Sequence, residues 1–367
     1  MAESSLLITI AAFVFGFGLL VFIHEWGHYS VARLFGVKID SFAVGMGPEL
    51  VGWNDKEGVR WKLCAFPIGG YVRFAGDANE ASAPSEELNS LSEEEKQDFF
   101  HFKPLYQRAL VVLAGPVINL VTGMAVFAAY YMINGMQVAP ATIGDVLENS
   151  PAAEAGLAAG DKIISINSYP IRRFSDIGEQ IKLFPGSEVT VVIERETVRQ
   201  VIPVTLGTRF LEDRFGNRYA IGVIGVYAPP SETVFPGPIE AVGEGLHATT
   251  VTIKSIFTTL GQMVMGVRSV REAGGPIRIG AMMGDAANQS IGSLILLLGL
   301  ISINLGVINL LPIPMLDGGH LFFYIIEAVK GSPLNEKAQA AGFYAGAALM
   351  LTLMVLVTLN DLQSIFL

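Results

Sequence analysis

The sequence predicts a polytopic α-helical membrane protein with four transmembrane helices, a small β-structured loop and one inserted α+β domain. Of its 367 residues, 51% are hydrophobic and only 16% are charged. The mean hydropathy of +0.49 is too high for an ordinary soluble protein of this size. Four stretches are long and apolar enough to cross about 30 Å of hydrocarbon. They are residues 6–23, 109–136, the later part of 286–316, and 338–360.

The charge and cysteine content limit the possible partners and metal ligands. The formal net charge of −10 comes largely from residues 77–98, where eight acidic residues lie among Ser, Ala and Pro. Such a segment is a solvated loop, and we expect no nucleic-acid partner for this chain. The single cysteine, Cys64, excludes an internal disulfide framework and a cysteine-based metal site. Any metal must therefore be bound by histidines and carboxylates.

The basic residues near the spans predict how the chain crosses the lipid bilayer. Lysine and arginine favour the cytoplasmic side of a membrane, whereas acidic residues contribute little. Three loops carry such residues close to a span: Arg33 and Lys38, Lys103 and Arg108, and Lys330 and Lys337. These loops are expected to be cytoplasmic. Both termini and the long middle segment would then lie outside.

The segment after the first span has the pattern of a small β-sheet. Residues 41–74 contain glycine-punctuated, alternating apolar stretches that are typical of short strands. From the residues alone, we favour a cytoplasmic β-structured loop without a role in chemistry.

The middle segment, residues 138–228, is charged, β-branched and glycine-rich, which indicates one small soluble domain. Its apolar runs predict strands at 143–147, 162–166, 189–193 and 201–206, and helices at 150–157 and 175–183. Residues 238–268 have apolar positions at helical spacing. This amphipathic helix is expected to lie in the membrane interface, to dock on the soluble domain, or to pack as a surface helix.

A metal-binding motif follows the first apolar stretch directly. His24-Glu25-Trp26-Gly27-His28 places two histidines four residues apart, so both imidazoles lie on one face of a helix and can reach one zinc ion. Zinc lowers the pKa of water to about 7, and Glu25 is positioned to take a proton from the attacking water. Ionisable groups are costly beside an 18-residue apolar span, which favours a functional site over chance.

A catalytic zinc ion needs a third protein ligand, and the third span supplies a candidate. Two prolines interrupt this span before Asp317, and two glycines follow it. Irregular backbone at membrane depth is tolerated where it lines protein or water, so a carboxylate there needs a partner such as zinc. Asp317 is the expected ligand. His320 is the alternative ligand, and a structural or metal-supporting role is expected for it.

These motifs resemble the site-2 protease family of zinc peptidases. The resemblance is carried by the motif at 24–28, by Asn-Leu-Leu-Pro-Ile-Pro-Met-Leu-Asp-Gly at 309–318 and by Phe-Pro-Ile-Gly-Gly-Tyr-Val at 66–72. It extends to Gly-Pro-Val-Ile-Asn at 115–119 and to Ala-Gly-Leu-Ala-Ala-Gly-Asp at 155–161, and so covers nearly the whole chain.

The resemblance implies a function for the site residues. It implies a Zn²⁺ ion bound by His24, His28 and Asp317, with Glu25 as the general base. Four transmembrane helices would surround this site near the cytoplasmic side of the bacterial inner membrane. The expected activity is hydrolysis of peptide bonds in or near the transmembrane segments of single-span membrane proteins. The implied substrates are anti-sigma factors or remnant signal peptides.

The resemblance also implies how a substrate is bound. Asn309, and with it Asn304, would hold the substrate backbone. The 41–74 segment is similar to a membrane-associated β-loop that offers its edge to an unwound substrate strand, which reverses the interpretation made from the residues alone. The middle domain resembles a periplasmic PDZ domain, which binds an extended peptide or screens substrates by size. An enterobacterial member carries two such domains, whereas 138–228 has room for one.

The predicted organisation divides the chain into seven segments. They are 1–36 with the first transmembrane helix, 37–104 with the β-loop and acidic loop, 105–137 with the second helix, 138–228 with the PDZ-like domain, 229–285 with the amphipathic helix and connector, 286–330 with the third transmembrane segment, and 331–367 with the fourth helix.

Two alternatives from other classes are less favoured. A membrane metalloprotease with a downstream glutamate as third ligand does not explain Asp317 after a proline-broken span. A non-catalytic scaffold with a decayed metal site does not explain why all four expected site residues are intact.

Overall fold

The computed structural model describes residues 2–77, 92–212, 218–269, 272 and 274–366. The helices in these ranges are α1 (Ala2–Leu34), α2 (Glu93–Lys96), α3 (Leu105–Asn134), α4 (Pro151–Glu154), α5 (Phe174–Ile181), α6 (Pro238–Val264), α7 (Pro276–Gln289), α8 (Ile291–Asn309), α9 (Asp317–Lys330) and α10 (Glu336–Phe366). Most of the predicted acidic loop, residues 78–91, lies outside the described ranges.

The strands are short except for the first two. They are β1 (Ile39–Asn54), β2 (Arg60–Phe74), β3 (Met136–Val138), β4 (Asp145–Val146), β5 (Lys162–Ile166), β6 (Tyr169–Pro170), β7 (Glu188–Arg195), β8 (Val198–Thr205), β9 (Gly207–Glu212), β10 (Arg218–Val223), β11 (Val226–Tyr227) and β12 (Glu232–Val234).

Four helices are long and apolar enough to cross a membrane, as the sequence predicted. In the described part of the chain they are Leu6–Leu34, Leu105–Asn134, Ile291–Asn309 and Lys337–Gln363. Their outward faces are apolar: Leu7 is 69% exposed and Phe15 is 78% exposed. Such surface is unfavourable in water and favourable in hydrocarbon. The first helix continues beyond the predicted end of its apolar span, so the histidine motif lies inside it.

The chain divides into two compact units. One comprises Met1–Val126 and Gly274–Asp361, and the other comprises Phe127–Ala273 and Leu362–Leu367. The histidine motif and Asp317 belong to the first unit. The soluble domain belongs to the second unit.

Buried polar contacts fix the helices of the first unit. The hydroxyl of Ser302 on α8 donates a 2.8 Å hydrogen bond to the backbone oxygen of Asn119 on α3. The buried Asp361 carboxylate on α10 accepts from the backbone N–H groups of Gly275 and Arg278, at 3.1 and 3.0 Å, at the start of α7. Carboxylates are favourable at helix N-termini, where backbone N–H groups lack partners within the helix.

The β1–β2 pair forms a small bent sheet on α1. The antiparallel pair of β1 and β2 folds back on itself and forms four short stretches. Phe42 of β1 therefore lies opposite Trp61 on one side and opposite Val72 on the other. One of the two outer stretches, residues 66–74, pairs with the beginning of β1 on one side. The Phe42 ring stacks on Trp61, with a centroid distance of 4.4 Å, and meets Phe22 of α1 at 5.6 Å. The predicted β-loop is therefore a sheet seated against the helix that carries the histidine motif.

The second unit contains the inserted domain. Its main sheet has the antiparallel order β6-β5-β7-β8. Ile163, Val191 and Ile193 are completely buried in its core. The predicted strand at 143–147 is shorter, because only Asp145–Val146 pairs with β11. The predicted helix at 150–157 reduces to α4, which ends where Gly156 takes a φ of 78°.

The ends of this domain meet, and the amphipathic helix contacts it. β3 pairs with β12 in antiparallel register, so the chain enters and leaves the domain at adjacent positions. The Arg173 guanidinium forms a two-pronged ion pair with the Glu244 carboxylate on α6. The Gln262 amide donates to the Leu183 backbone oxygen at 2.5 Å. The sequence left three placements possible for this amphipathic helix, and the structure shows the one in which it docks on the soluble domain.

Candidate metal centre

The two histidines of the motif and Glu25 lie on the buried side of α1. Their exposed fractions are 8% for His24, 7% for Glu25 and 9% for His28. One helical turn separates the histidines, and their rings meet edge to face with centroids 4.9 Å apart. Buried polar side chains need partners, so this turn of the helix requires complementary groups from other elements.

Asp317 meets both histidines. His24 Nε2 lies 3.2 Å from Asp317 Oδ2, His28 Nε2 lies 3.5 Å from Asp317 Oδ1, and the two Nε2 atoms are 3.3 Å apart. Atoms that bind one zinc ion tetrahedrally at about 2.0–2.1 Å lie about 3.3–3.4 Å from one another. The three side chains therefore already have the spacing of a zinc ligand set.

The environment of the Asp317 carboxylate also fits a metal ligand. Its Oδ2 is inaccessible to solvent and accepts no hydrogen bond from the residues that the structure describes, although His24 Nε2 is 3.2 Å away. A buried carboxylate oxygen without a donor is costly unless it meets a cation. Zn²⁺ suits this donor set of two imidazoles and one carboxylate.

The loop between α8 and α9 brings Asp317 to the histidines. α8 ends at Asn309, and α9 begins with Asp317 itself. In between, Met315 takes a φ of 83°, which is uncommon for a residue with a side chain. The prolines at 312 and 314 prevent a continuous helix, as the sequence predicted. This break turns the first residue of α9 towards α1.

Each histidine is held through its second ring nitrogen. His28 Nδ1 lies 2.9 Å from the backbone oxygen of Val111 on α3, and His24 Nδ1 lies 3.0 Å from the side-chain amide of Asn119 on the same helix. Such contacts orient metal-binding imidazoles. Asn119 was not predicted as a site residue. The signal was present in the 115–119 motif, but its spacing from His24 depends on how α1 and α3 cross.

The other predicted site residues differ in their placement. The Asn309 amide lies 3.4 Å from His24 Nε2, so it borders the centre. Asn304 donates from its amide to the Leu300 backbone oxygen at 3.1 Å, one turn earlier in its own helix. His320 lies on α9 outside the group of mutually close ligand atoms found in the described chain, which consists of His24, His28 and Asp317.

Glu25 lies next to the bent sheet. A methyl group added at Gly70 would lie 2.9 Å from Glu25 Cγ, which places β2 directly against this side chain. The backbone N–H of Val72 also lies close to the Glu25 carboxylate. The outer stretch of β2 therefore passes along the centre, and a carboxylate held beside two candidate metal ligands can exchange protons with bound water.

A second group of potential ligands lies where the inserted domain meets α6. Asp176, Glu179 and His247 bring one carboxylate or imidazole atom each within 4.8 Å of one another. The Asp176 carboxylate already accepts from the backbone N–H groups of Arg172 and Arg173, at 2.8 and 3.0 Å, at the start of α5. Its observed role is therefore helix capping.

A membrane protein with one of these motifs inside a continuous helix and the other after an interrupted span has the features of a metallopeptidase, and comparison with known proteins agrees. The family model for Peptidase family M50 matches residues 12–353. The chain therefore belongs to peptidase family M50, the site-2 protease family, and is a zinc metalloprotease and an integral membrane protein.

Several bacterial relatives match over almost their whole length. A protein from Agrobacterium fabrum that carries a zinc metalloprotease name is 38% identical over 361 residues, covering 97% of this chain and 96% of that one. A protein of similar name from Rhizobium meliloti is 39% identical over 363 residues, covering 98% and 97%. Metalloprotease MmpA from Caulobacter vibrioides is 36% identical over 383 residues, covering 97% and 96%.

Among solved structures, the PDZ domain of an SdrC-like protein from Listeria monocytogenes is similar to part of this chain. The likeness has 19% sequence identity and a TM-score of 0.20, and covers 25% of this chain and 90% of that one.

Proposed function

We propose that this metalloprotease is an intramembrane endopeptidase that cleaves single-span membrane proteins within or beside their transmembrane segments. In this proposal His24, His28 and Asp317 bind the zinc ion, and Glu25 is the catalytic base. The supporting observation is that the two histidine Nε2 atoms lie 3.3 Å apart and each lies 3.2–3.5 Å from an oxygen of the Asp317 carboxylate, on elements of the membrane unit. That spacing is what one tetrahedral ion requires.

The proposed chemistry is peptide hydrolysis with proton transfer by Glu25. When bound, zinc polarises the scissile carbonyl and makes water a better nucleophile. Glu25 takes the proton from the attacking water and returns it to the nitrogen of the leaving amine. Its burial beside Val72 and Gly70 keeps the carboxylate in one position for both transfers. Glu25 thus serves as the single proton-transfer group, and it lies on the same helical turn as the two histidine ligands.

The substrate backbone would be held by polar side chains near the centre. Asn309 is suited to this role because its amide lies 3.4 Å from His24 Nε2, within reach of a carbonyl at the reacting position. An amide donor there would stabilise charge that develops on the carbonyl oxygen. Asn304 would have to exchange its hydrogen bond with Leu300 for one with the substrate.

A transmembrane segment must be extended before it is cleaved. A helix hides its peptide bonds in internal hydrogen bonds, and breaking them in lipid is costly unless new partners replace them. Residues 66–74 pair with β1 on one side and run past Glu25. Strand addition along the other side would replace the lost hydrogen bonds and bring a substrate bond to the centre.

The proposed location is the bacterial inner membrane. Lysines and arginines in the three loops described above favour a cytoplasmic position for those loops. Both termini and the inserted domain would then be periplasmic, and the site would lie near the cytoplasmic side. The exposed apolar faces of the four candidate spans support insertion in lipid.

The inserted domain is proposed to be a single PDZ-like domain that selects substrates. It would bind an extended peptide or a chain end, or exclude substrates whose outer portion is large. Its paired entry and exit strands allow a clean excision: Val138 lies opposite Glu232, so residues 139–231 can be replaced by a short glycine linker. Excision should relax substrate choice and leave cleavage of a short substrate intact. Loss of all activity would make the domain part of the catalytic architecture.

The natural substrates are proposed to be anti-sigma-factor-like proteins or remnant signal peptides. Both classes present a single span after their outer portion has been trimmed. We propose testing the function with purified protein in proteoliposomes that contain a tagged single-span substrate. Cleavage should stop on chelation and return with Zn²⁺, and mass spectrometry should place the cut in or beside the span. A cut confined to the outer portion would contradict intramembrane proteolysis.

A further inference from the structure

The Asn119 side chain makes an unusual contact with a candidate zinc ligand. Asn119 is completely buried on α3, and its amide nitrogen is placed 3.0 Å from His24 Nδ1. Its amide oxygen, Oδ1, is buried without a hydrogen-bond partner in the described part of the chain. An amide group has two ends of the same shape, so which end faces the histidine must be decided from the chemistry of the contact.

Metal binding by His24 decides that chemistry. A neutral imidazole has one N–H and one lone pair. His24 Nε2 faces His28 Nε2 and Asp317, so its lone pair is the one available to a cation. The proton must then be on Nδ1, which requires an acceptor. An amide nitrogen is a donor and would oppose that N–H, whereas the amide oxygen accepts it.

Rotation of the amide by 180° makes the contact at the histidine favourable and moves the amide nitrogen to the position that Oδ1 held. It brings the unpartnered Oδ1 to His24 Nδ1–H and removes the opposition between two donors. The backbone of Asn119 is held in place by the Ser302 hydroxyl on α8, which donates to its carbonyl oxygen at 2.8 Å. The side chain therefore projects from an anchored position on α3 towards α1.

The two histidines differ in this respect. His28 Nδ1 lies 2.9 Å from the backbone oxygen of Val111, an acceptor that no substitution removes. His24 depends on a side chain instead. The orientation of His24 therefore depends on which residue occupies position 119.

We propose that Asn119 is a positioning residue that accepts a hydrogen bond from His24 Nδ1–H through Oδ1 and thereby fixes the tautomer in which Nε2 binds zinc. This inference rests on the proposed function, in which His24 is a zinc ligand. Residues that support a metal ligand in this way commonly change metal affinity by about 10–100-fold when they are replaced. The effect should therefore appear in metal binding itself.

The test compares Asn119→Leu, which keeps the branching at Cγ and has no acceptor, with Asn119→Asp, which keeps an acceptor oxygen. Asn134→Leu is the matched control, because Asn134 lies on the same helix and its amide donates to the Tyr130 backbone oxygen. Zinc affinity is measured in detergent by competition with a chromogenic chelator. The visible spectrum of the Co²⁺-substituted protein reports ligand geometry, and thermal unfolding of the metal-free protein reports folding.

The expected result is a loss of zinc affinity of about 10–100-fold and an altered Co²⁺ spectrum for Asn119→Leu. Asn119→Asp should recover most of the affinity, which a purely structural role would not predict, and Asn134→Leu should match the wild type. Wild-type affinity in Asn119→Leu, or equal losses in both Asn119 variants, would overturn the inference. If His24→Ala loses zinc and the Asn119 variants keep it, the inference about Asn119 is overturned and the proposed function stands. Absence of zinc binding by the wild type would overturn both.

Discussion

Gly115 lies directly against the ring of His28. A methyl group added at Gly115 would lie 2.6 Å from His28 Cε1 and 2.9 Å from His24 Cε1, and it would also meet His28 Nε2. Side chains are essentially never found this close to one another. The absence of a side chain at position 115 therefore allows α3 to approach the turn of α1 that carries both histidines.

Gly115→Ala is accordingly expected to disturb the metal centre. The added methyl group must displace an imidazole, because the neighbouring α3 backbone is part of a long helix and cannot yield. Zinc affinity should fall by about 10-fold or more, by analogy with the loss of groups that orient ligands. Gly18→Ala on α1 is the control, since a methyl group there meets nothing within 4 Å. Unchanged zinc binding in Gly115→Ala would show that the ligands do not depend on this contact.

Gly70→Ala is expected to act on Glu25 rather than on zinc. A methyl group at position 70 would lie 2.7 Å from the Ala43 backbone oxygen of β1, 2.7 Å from Val21 Cγ1 and 2.9 Å from Glu25 Cγ. Displacement of a reacting group by about 1 Å can cost about 100-fold in rate. The turnover rate on a single-span substrate should therefore fall by that order, and the zinc content should remain at the wild-type value. If zinc is lost as well, the substitution has disturbed more than the base.

Asp317→Ala and His320→Ala distinguish the two candidates for the third ligand. Asp317 approaches both histidines, whereas His320 lies outside that group of ligand atoms in the described chain. Asp317→Ala should lower zinc affinity by more than about 100-fold, because even residues that only hydrogen-bond to a metal ligand can cost that much when replaced. His320→Ala should retain zinc. Metal analysis after dialysis against a weak chelator checks both, and the reverse pattern would make His320 the ligand.

The stability of the inserted domain is expected to depend on pH through Asp161. The Arg195 guanidinium, 2.6 Å away through Nε, hydrogen-bonds to this buried carboxylate and lowers its pKa below the ordinary value. A carboxyl group whose pKa is lower in the folded state stabilises the fold above its unfolded pKa of about 3.9, and this stabilisation is lost as the pH falls through the folded pKa.

Thermal unfolding at pH 7 and at acidic pH measures this contribution. Asp161→Asn should lower the unfolding temperature at pH 7 and make it less dependent on pH below about 4. Glu154→Gln, at an exposed position on α4, is the matched control and should behave as the wild type. An Asp161→Asn variant that loses stability on acidification as strongly as the wild type would assign the pH dependence to other groups.

Much of the architecture could be predicted from the sequence because it depends on local pattern. Long apolar runs predicted four spans, and the prolines after Asn309 predicted the break that precedes Asp317. Alternation and glycines predicted the strands of residues 41–74. Each of these features is encoded within about 10–30 neighbouring residues, where periodicity and backbone preferences act directly.

The rest depends on contacts between distant segments. The meeting of Asn119 with His24 is set by the crossing of α1 and α3, and the pairing of Arg173 with Glu244 by the docking of α6 on the inserted domain. Neither contact has a signal in the spacing of nearby residues. The separate helix α7 was likewise not predicted, because its mixed composition resembles a connector. The resemblance to a known family identified the 115–119 motif but not what it contacts.

The measurement that tests the central claim most directly compares wild type with Glu25→Gln on one tagged single-span substrate, with zinc stoichiometry determined for both proteins. Gln keeps the size of Glu and cannot take up the proton, so cleavage should fall by about 10²–10⁴-fold while one zinc ion remains bound. Cleavage at the wild-type rate by the Glu25→Gln variant, with zinc bound, would contradict the assignment of Glu25 as the base.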